Sequence, residues 1–203
     1  MVFSSFDKHQ NVKDFLSSVC QIKSVSEDGV NSSGTGFVIK DNLIVTNYHV
    51  VTFGNKQAKE IMVRFPNEET YSLVSIKTID KDNDVAFLYF NNLGNVKPLD
   101  FSASLPDYGD DCFAICNTNN YGISLIKGTI TIPLIKIEST EYNDYFVQAN
   151  IDVYPGSSGG CLLDADYKCI GVLTFRLKDS SNNPVYGYGY AIPFTRIIPL
   201  LDI

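Results

Sequence analysis

The chain has 203 residues, of which 44% are hydrophobic, and a formal net charge of −7. This length and hydrophobic content are within the range in which an all-β protein forms one domain, here residues 1–203. The acidic balance argues against a nucleic-acid partner, which ordinarily meets a basic protein face. No apolar run approaches the roughly 20 residues of a membrane-spanning helix. We therefore expect neither a nucleic-acid partner nor a membrane partner.

The N-terminal region is polar and holds one of the two histidines, His9. We expect His9 to lie on the surface, because no strand-like segment surrounds it. A short helix is predicted over Val12–Ser18. The first residues lack the basic segment and apolar core of a secretory signal, so we expect a cytoplasmic protein.

The second histidine, His49, follows a predicted hairpin. Phe37–Ile39 and Leu43–Val45 are typical of two short strands joined by a turn at Asp41-Asn42. His49 then lies at the start of a predicted helical turn. A lone histidine is more often structural or exposed than catalytic, but this setting makes His49 the candidate general base.

The segment DKDNDVAFLYF offers three aspartates, Asp80, Asp82 and Asp84, before an apolar strand. Aspartates at such a position usually cap a turn, and we expect Asp80 and Asp82 to do so. Asp84 adjoins the apolar run directly and is expected to be carried towards the interior. A buried carboxylate needs a partner there, and an imidazole N–H can supply one.

Short β-branched and aromatic runs dominate the rest of the chain, and turn residues separate them at intervals of roughly 8–12 residues, as in a sandwich or barrel. The runs are IMVRF, YSLVSI, VAFLYF, CFAIC, ISLIKGTITI, YFVQANI and KCIGVLTF. Two packed Greek-key β-barrels would satisfy this pattern. We place the first barrel at about 1–99 and the second at about 108–203, with a second short helix over Phe194–Leu201.

The stretch GSSGG, Gly156–Gly160, lies between apolar strand-like segments. Glycines beside a serine permit a sharp turn and let a carbonyl substrate approach main-chain N–H groups. A flexible Gly/Ser loop is the alternative. The order His49, Asp84, Ser158 is that of chymotrypsin-type hydrolases, and it favours Ser158 as a nucleophile.

The chain has five cysteines. Cys112 and Cys116 would share one face of a strand at a separation of about 13 Å, which is too far for a disulfide. Cys161 and Cys169 flank a predicted hairpin and could be neighbours. Free, buried thiols are favoured. A metal site would need a denser cluster of histidine and cysteine, so no metal or other cofactor is expected.

Four segments spanning residues 34–194 resemble trypsin-like serine peptidases of the chymotrypsin clan, and most of all the HtrA-type protease domain. They are GTGFVI followed by IVTNYHVV, then NDVAFLYF, then VYPGSSGG, and IGVLTF followed by YGYAIPF. The resemblance implies two six-stranded chymotrypsin-like barrels with the catalytic groups between them. It also implies a polypeptide substrate.

The resemblance implies the catalytic roles as well. His49 would be the general base, Asp84 would orient it, and Ser158 would attack the peptide carbonyl. The backbone N–H groups of Gly156 and Ser158 would form the oxyanion hole. Ser157 stands where trypsins carry the aspartate that pairs with a new N-terminus, so activation by N-terminal cleavage is not expected. Loop ordering, an activating partner or a larger assembly are the candidate means of control. The resemblance covers the protease domain alone, and we expect no PDZ domain after AIPF.

Substrate preference rests on Asp152, which the resemblance places on the floor of the primary pocket. There it would favour Lys or Arg at the cleaved bond, but it could equally cap a turn. Thr174, Phe175 and Arg176 would lie on the strand that pairs with the substrate backbone. Arg176 could also neutralise Asp152, and a pocket closed by that pair would favour small or neutral residues.

Two glycines, Gly187 and Gly189, would form the far wall of the same pocket and leave it open. The alternative is that they mark a kink in a strand.

The sequence thus predicts a serine endopeptidase that works through an acyl-enzyme. A catalytically silent protein of the same fold, which binds peptides or partners, is the alternative. An esterase on this fold would differ only in its leaving group.

Overall fold

The computed structural model describes residues 12–91, 93–94, 96–138, 143–179, 181 and 183–201. Within these residues the strands form two large antiparallel units, one from each half of the chain. His9 lies outside the described residues, so its surface position stays a prediction. Residues 12–17 are helical, in agreement with the predicted first helix.

The first unit is a sheet of seven strands in the order β7-β6-β1-β2-β3-β9-β8. The strands are β1 Val19–Val25, β2 Asn31–Lys40, β3 Leu43–Thr46, β6 Glu60–Arg64, β7 Ser72–Leu73, β8 Ser75–Asp80 and β9 Val85–Tyr89. A separate ribbon pairs β4 Thr52–Phe53 with β5 Lys56–Gln57. The end strands β7 and β8 are not hydrogen-bonded neighbours, so this unit is a half-open barrel and not the closed six-stranded form.

The second unit is a closed six-stranded barrel in the order β10-β11-β12-β15-β14-β13. Its strands are β10 Asp111–Asn117, β11 Ile123–Glu138, β12 Asn143–Ala149, β13 Cys161–Leu163, β14 Cys169–Phe175 and β15 Gly189–Pro193. The all-β, two-barrel architecture predicted from the sequence is therefore confirmed. The described residues between positions 90 and 110, which join the two units, contain no named strand.

The predicted hairpin before His49 is present, with Val38 opposite Ile44 and Asn42 at a positive φ of 61° in the turn. Strand β2 begins earlier than predicted, at Asn31, because its small polar residues pair with β1. The chain ends in an α-helical turn, Phe194–Ile197, followed by a 3₁₀ turn, Ile198–Leu200, where the second terminal helix was predicted.

One hydrophobic cluster joins the two units. It includes Val19, Phe37, Val45 and Phe87 from the first sheet and Ile115, Phe146, Val172 and Phe194 from the second half. Phe194 is fully buried, and its ring lies 6.4 Å from that of Phe37. Complete burial of such a side chain stabilises the fold by roughly 1.5–3 kcal/mol. This shared core fixes how the loops of one unit meet those of the other.

All five cysteines are free and buried. Cys112 and Cys116 lie on one strand, and Cys161 faces Val172 across the ladder while Cys169 faces Leu163. Burial raises the pKa of the Cys112 thiol to about 12. Among the described residues, no helix is long and apolar enough to cross a membrane.

Candidate active site

His49 and Asp84 are brought together by the pairing of β3 with β9. Thr46 lies opposite Ala86 in this ladder, so the residues that follow β3 lie beside those that precede β9. His49 follows β3 in a 3₁₀ turn, Tyr48–Val50, as the sequence predicted. Asp84 precedes β9 and closes a turn by donating its N–H to the Lys81 carbonyl at 3.2 Å.

The imidazole of His49 is held by the carboxylate of Asp84. Its Nδ1 lies 2.9 Å from Oδ2 and 3.0 Å from Oδ1, and the His49 backbone N–H donates to Oδ1 at 3.1 Å. Because a carboxylate can only accept, Nδ1 carries the proton and Nε2 has a free lone pair. The His49 side chain is 45% exposed against 22% for Asp84. The geometry therefore orients His49 and leaves its basic nitrogen accessible.

Asp84 has a positive φ of 51°, a left-handed conformation that aspartate tolerates better than most residues. Two side chains from the surrounding turn support it. Asn47 Nδ2 donates to the Asp84 carbonyl at 3.0 Å. Asp80 accepts the Asn83 N–H at 3.0 Å and its amide group at 2.7 Å, as expected of a turn-capping aspartate.

Arg196, from the C-terminal helical turn, connects this loop to the second barrel. Its guanidinium donates to Asn83 Oδ1 at 2.7 Å and to the Tyr145 carbonyl at 3.0 Å, and it pairs with Asp144 at 2.7 Å. Burial lowers the pKa of Arg196 from its ordinary value, while the nearby carboxylates of Asp144 and Asp80 oppose that shift. Arginine remains charged in proteins, so the guanidinium keeps its positive charge in this network. Sequence reasoning gave Arg196 no role.

A cavity of about 350 Å³ adjoins this network. Residues of the network and of the strand β12 line it, among them His49, Lys81, Asp84, Asp144, Phe146 and Arg196. The cavity thus opens beside the His49–Asp84 pair.

Ser158 follows a tight turn, Tyr154–Ser157. The Ser157 N–H donates to the Tyr154 carbonyl at 2.9 Å, Pro155 occupies the second position, and Gly156 has a φ of +92° in the third. These are the features of a type II turn. Ser157 is fully buried, and its hydroxyl accepts the Tyr154 N–H at 3.2 Å. The serine at the trypsin aspartate position therefore fastens the turn internally.

Two backbone N–H groups of this segment, those of Gly156 and Ser158, have no acceptor within the part of the chain that the structure describes. The neighbouring N–H groups are all used: Ser157 donates to Tyr154, Gly159 to Leu173 and Gly160 to Ser157. Unused donors on either side of a buried turn residue are what an oxyanion needs. These are the two N–H groups that the resemblance assigned to the oxyanion hole.

Thr174 lies between the aspartate and the serine. Its hydroxyl donates to Asp84 Oδ2 at 2.8 Å, and its carbonyl oxygen accepts the Ser158 hydroxyl at 2.9 Å. The Ser158 hydroxyl is thus bonded to Thr174 and not to His49. The sequence assigned Thr174 to substrate binding and missed both contacts, since they join residues far apart in the chain.

The residues predicted to set specificity have different surroundings from those expected. Asp152 accepts the N–H of Gly187, which lies 35 positions later in the chain, at 2.7 Å, so its carboxylate bridges two segments. Arg176 does not pair with Asp152. It donates to the Val153 carbonyl at 2.9 Å, and its guanidinium lies 4.8 Å from the centre of the Tyr186 ring and 5.7 Å from that of Tyr154.

Two further residues predicted to bind substrate, Phe175 and Gly189, pack against the core. Phe175 is buried and stacks on Tyr190 with ring centres 5.0 Å apart. A Cβ at Gly189 would meet Val153 at 2.6 Å and Ile151 at 2.7 Å. A side chain at position 189 would therefore point at these two residues, and the place of Gly189 in the wall of a substrate pocket stays a prediction. Gly187, in contrast, has open space around it and a φ of +84°.

Residues 34–172 match the family model described as a trypsin-like peptidase domain. The chain is similar to a probable periplasmic DegP-like serine endoprotease of Rickettsia conorii, with 28% identity over 179 residues that cover 83% of this chain and 33% of the relative. It is also similar to the chloroplastic Protease Do-like 5 of Arabidopsis thaliana, with 30% identity over 180 residues that cover 83% of this chain and 56% of the relative. The chain thus spans between a third and somewhat over half of these relatives.

Solved structures agree on the fold. The HtrA-type protease AlgW, solved with a tripeptide, has a TM-score of 0.82 at 24% identity, covering 96% of this chain and 62% of that chain. The Rv3671c protease from M. tuberculosis, in its active form, has a TM-score of 0.82 at 22% identity, covering 94% and 82%. At these identities the likeness is one of fold.

Proposed function

The chain belongs to the trypsin-like peptidase family, and from this premise we propose that it is a serine endopeptidase acting through His49, Asp84 and Ser158. The observation that carries the proposal is the position of Thr174. One residue bonds the Asp84 carboxylate through its hydroxyl and the Ser158 hydroxyl through its carbonyl. The acid and the nucleophile therefore lie on either side of a single residue, with His49 already oriented by the acid.

The reaction begins when the Ser158 hydroxyl turns from the Thr174 carbonyl to His49 Nε2. His49 accepts its proton as Oγ attacks the peptide carbonyl, and Asp84 stabilises the imidazolium that forms. The N–H groups of Gly156 and Ser158 bind the oxyanion. The imidazolium then protonates the leaving amine, and water attacks the acyl-enzyme with His49 again as the base.

A fluorophosphonate probe tests the nucleophile directly, because it labels only an activated serine. We expect labelling of the wild-type protein and none of Ser158→Ala or His49→Ala. Mass spectrometry of the labelled peptide should place the adduct on Ser158. Absence of labelling in folded wild-type protein, both with and without added peptide, would contradict the proposal.

A catalytically silent binding protein is the second candidate, and one observation favours it. The Ser158 hydroxyl donates its single proton to the Thr174 carbonyl at 2.9 Å and not to His49. In an active peptidase this is a resting rotamer, which a bound peptide or an activating partner would change. Labelling that appears only when peptide is added would identify such control, whereas peptide binding without any labelling would favour the silent protein.

We propose further that the primary pocket favours small or neutral side chains. Asp152 is engaged with the Gly187 N–H, and the Arg176 cation is held beside Val153. A second cation from a substrate Lys or Arg would be repelled there. Profiling of peptide libraries should show this preference, and Arg176→Ala should widen it towards basic residues. Cleavage mainly after Lys or Arg, lost in Asp152→Ala, would contradict it.

The cytoplasmic location remains our prediction. Fractionation of cells that express the protein from its own gene would check it, and recovery in a secreted or organellar fraction would contradict it.

A further inference from the structure

Thr35 lies in the first sheet and forms hydrogen bonds to the Tyr154–Ser157 turn and to Ser158, both in the second barrel. It is fully buried in β2. Its hydroxyl donates to the Gly156 carbonyl at 2.6 Å and accepts the Asn117 N–H at 2.9 Å. Its own N–H donates to the Ser158 carbonyl at 2.8 Å. One residue thus contacts both residues whose N–H groups are free.

These bonds fix the planes of two peptides. The Gly156 carbonyl shares a peptide with the Ser157 N–H, which is bonded to Tyr154, and the Ser158 carbonyl shares one with the Gly159 N–H, which is bonded to Leu173. A peptide is planar, so a bond at each end leaves it little freedom to rotate. Thr35 supplies the hydrogen bond at the carbonyl end of each of these two peptides.

The peptide between them carries the Ser158 N–H, and its Ser157 carbonyl accepts the Gly160 N–H at 3.0 Å. Its orientation is therefore set by the bond at its carbonyl and by the two held peptides before and after it. The peptide between Pro155 and Gly156 carries the Gly156 N–H. Its orientation relative to the Gly156–Ser157 peptide is set in part by the Gly156 φ of +92°. If the Gly156 carbonyl lost its bond to the Thr35 hydroxyl, Gly156 could rotate and its N–H would leave the oxyanion site, since glycine occupies many conformations.

We propose that Thr35 is a positioning residue for the oxyanion hole, acting through the bond from its hydroxyl to the Gly156 carbonyl. This inference rests on the proposed peptidase function. Thr35 touches no reacting atom itself. Its hydroxyl must be both donor and acceptor, which serine can replace and valine cannot.

The test compares Thr35→Val, which keeps the shape and removes the hydroxyl, with Thr35→Ser, which keeps the hydroxyl. We expect Thr35→Val to lower kcat by about 10- to 100-fold with KM within about twofold, because the oxyanion exists only after attack. Labelling of Thr35→Val by the fluorophosphonate should slow by a similar factor, because the phosphonyl oxygen accepts hydrogen bonds from the same two N–H groups. Thr35→Ser should stay within about threefold of the wild type.

A matched control is Thr131→Val, which removes a hydroxyl bonded to the Gln148 carbonyl on β12, away from the turn. This variant should lower the melting temperature without slowing the labelling. Titration of active sites separates a fall in kcat from a loss of folded protein. If Thr35→Val does not fold, Thr35→Cys, with a weak donor of similar size, should give an intermediate rate.

The outcomes are distinguishable. Wild-type labelling together with an unchanged rate in Thr35→Val, or an equal loss in Thr35→Ser, would overturn the role of Thr35 while leaving the peptidase intact. Absence of labelling in the wild type would instead overturn the peptidase function on which the inference rests.

Discussion

The two sides of the site are each supported by the opposite half of the chain, but by different kinds of bond. On the serine side, the turn belongs to the second barrel and is held by Thr35 of the first sheet, which is fully buried. On the aspartate side, Asp84 belongs to the first sheet and is held by Thr174 of the second barrel. Arg196 adds a partly exposed charged contact on the aspartate side.

This reciprocal arrangement means that neither half of the chain completes its own part of the site. The hydrophobic cluster shared by both units brings the supports into place, so folding of the whole domain and formation of the site are coupled. The serine side depends on neutral hydrogen bonds of buried residues, where an unmade bond costs most. The aspartate side includes an ion pair that solvent screens, so the loss of that ion pair should cost less than the loss of a buried hydrogen bond.

The largest effect is expected on the aspartate side from Asp84→Asn. The amide can present its N–H to His49 Nδ1 and so favour the tautomer with the proton on Nε2, where it cannot act as a base. We expect a fall in kcat of about 10⁴-fold with little change in stability, measured with a fluorogenic peptide. Asp82→Asn, in the same turn, should keep wild-type activity. A loss below about tenfold in Asp84→Asn would remove Asp84 from the proposed triad.

On the serine side, the corresponding change is Gly156→Ala. A Cβ there would meet the Asn117 carbonyl at 2.5 Å and Asn120 Oδ1 at 2.7 Å, at a φ that disfavours alanine. The turn must shift, so we expect kcat to fall by about 10²- to 10³-fold. Gly109→Ala is the matched control, because Gly109 has a similar φ of +84° with open space around it. It should lower stability by about 1 kcal/mol and leave kcat unchanged.

The catalytic residues and the residues that support them differ in how far the sequence predicts their places. His49, Asp84 and Ser158 each stand in a local pattern of strand and turn, and the structure brings the His49–Asp84 pair together and sets Ser158 on a turn as that pattern suggested. The contacts that support these residues are not predictable in this way. The Thr35–Gly156 contact joins residues 121 positions apart, and the Asn83–Arg196 contact spans 113. No local spacing encodes such pairs, because they depend on how two sheets pack.

The surroundings of the residues predicted to form the pocket lead to the same conclusion. A glycine in a strand does not reveal which way a Cβ would point, and at Gly189 that direction is filled by Ile151 and Val153. Likewise, the sequence pairs Asp152 with Arg176 by charge alone. In the folded chain the Gly187 N–H is available to Asp152, and the Tyr154 and Tyr186 rings are available to Arg176.

Thr174→Val tests the neutral bond on the aspartate side. The substitution removes the hydroxyl that donates to Asp84 Oδ2 and keeps the carbonyl that accepts from Ser158. With His49 as its remaining side-chain partner, the carboxylate can rotate, and we expect kcat to fall by about tenfold. Thr174→Ser should restore most of the loss. Equal activity of the valine variant and the wild type would show that the turn around Asp84 holds the carboxylate without Thr174.

The smallest effect is expected from the charged contact, through Arg196→Gln. Glutamine loses the ion pair with Asp144 and at least one of the hydrogen bonds to Asn83 and Tyr145. We expect the free energy of unfolding to fall by about 1–2 kcal/mol and kcat by about three- to tenfold, since Asn83 adjoins Asp84. Because the ion pair is partly exposed, rising salt should narrow the difference between variant and wild type. Lys127→Gln, which breaks the exposed pair with Asp111, is the control and should change stability by less than about 1 kcal/mol with no effect on kcat. If Arg196→Gln loses stability but keeps full kcat at every salt concentration, Arg196 joins the two halves of the chain without positioning Asp84, and the support of the aspartate side reduces to Thr174 and the turn itself.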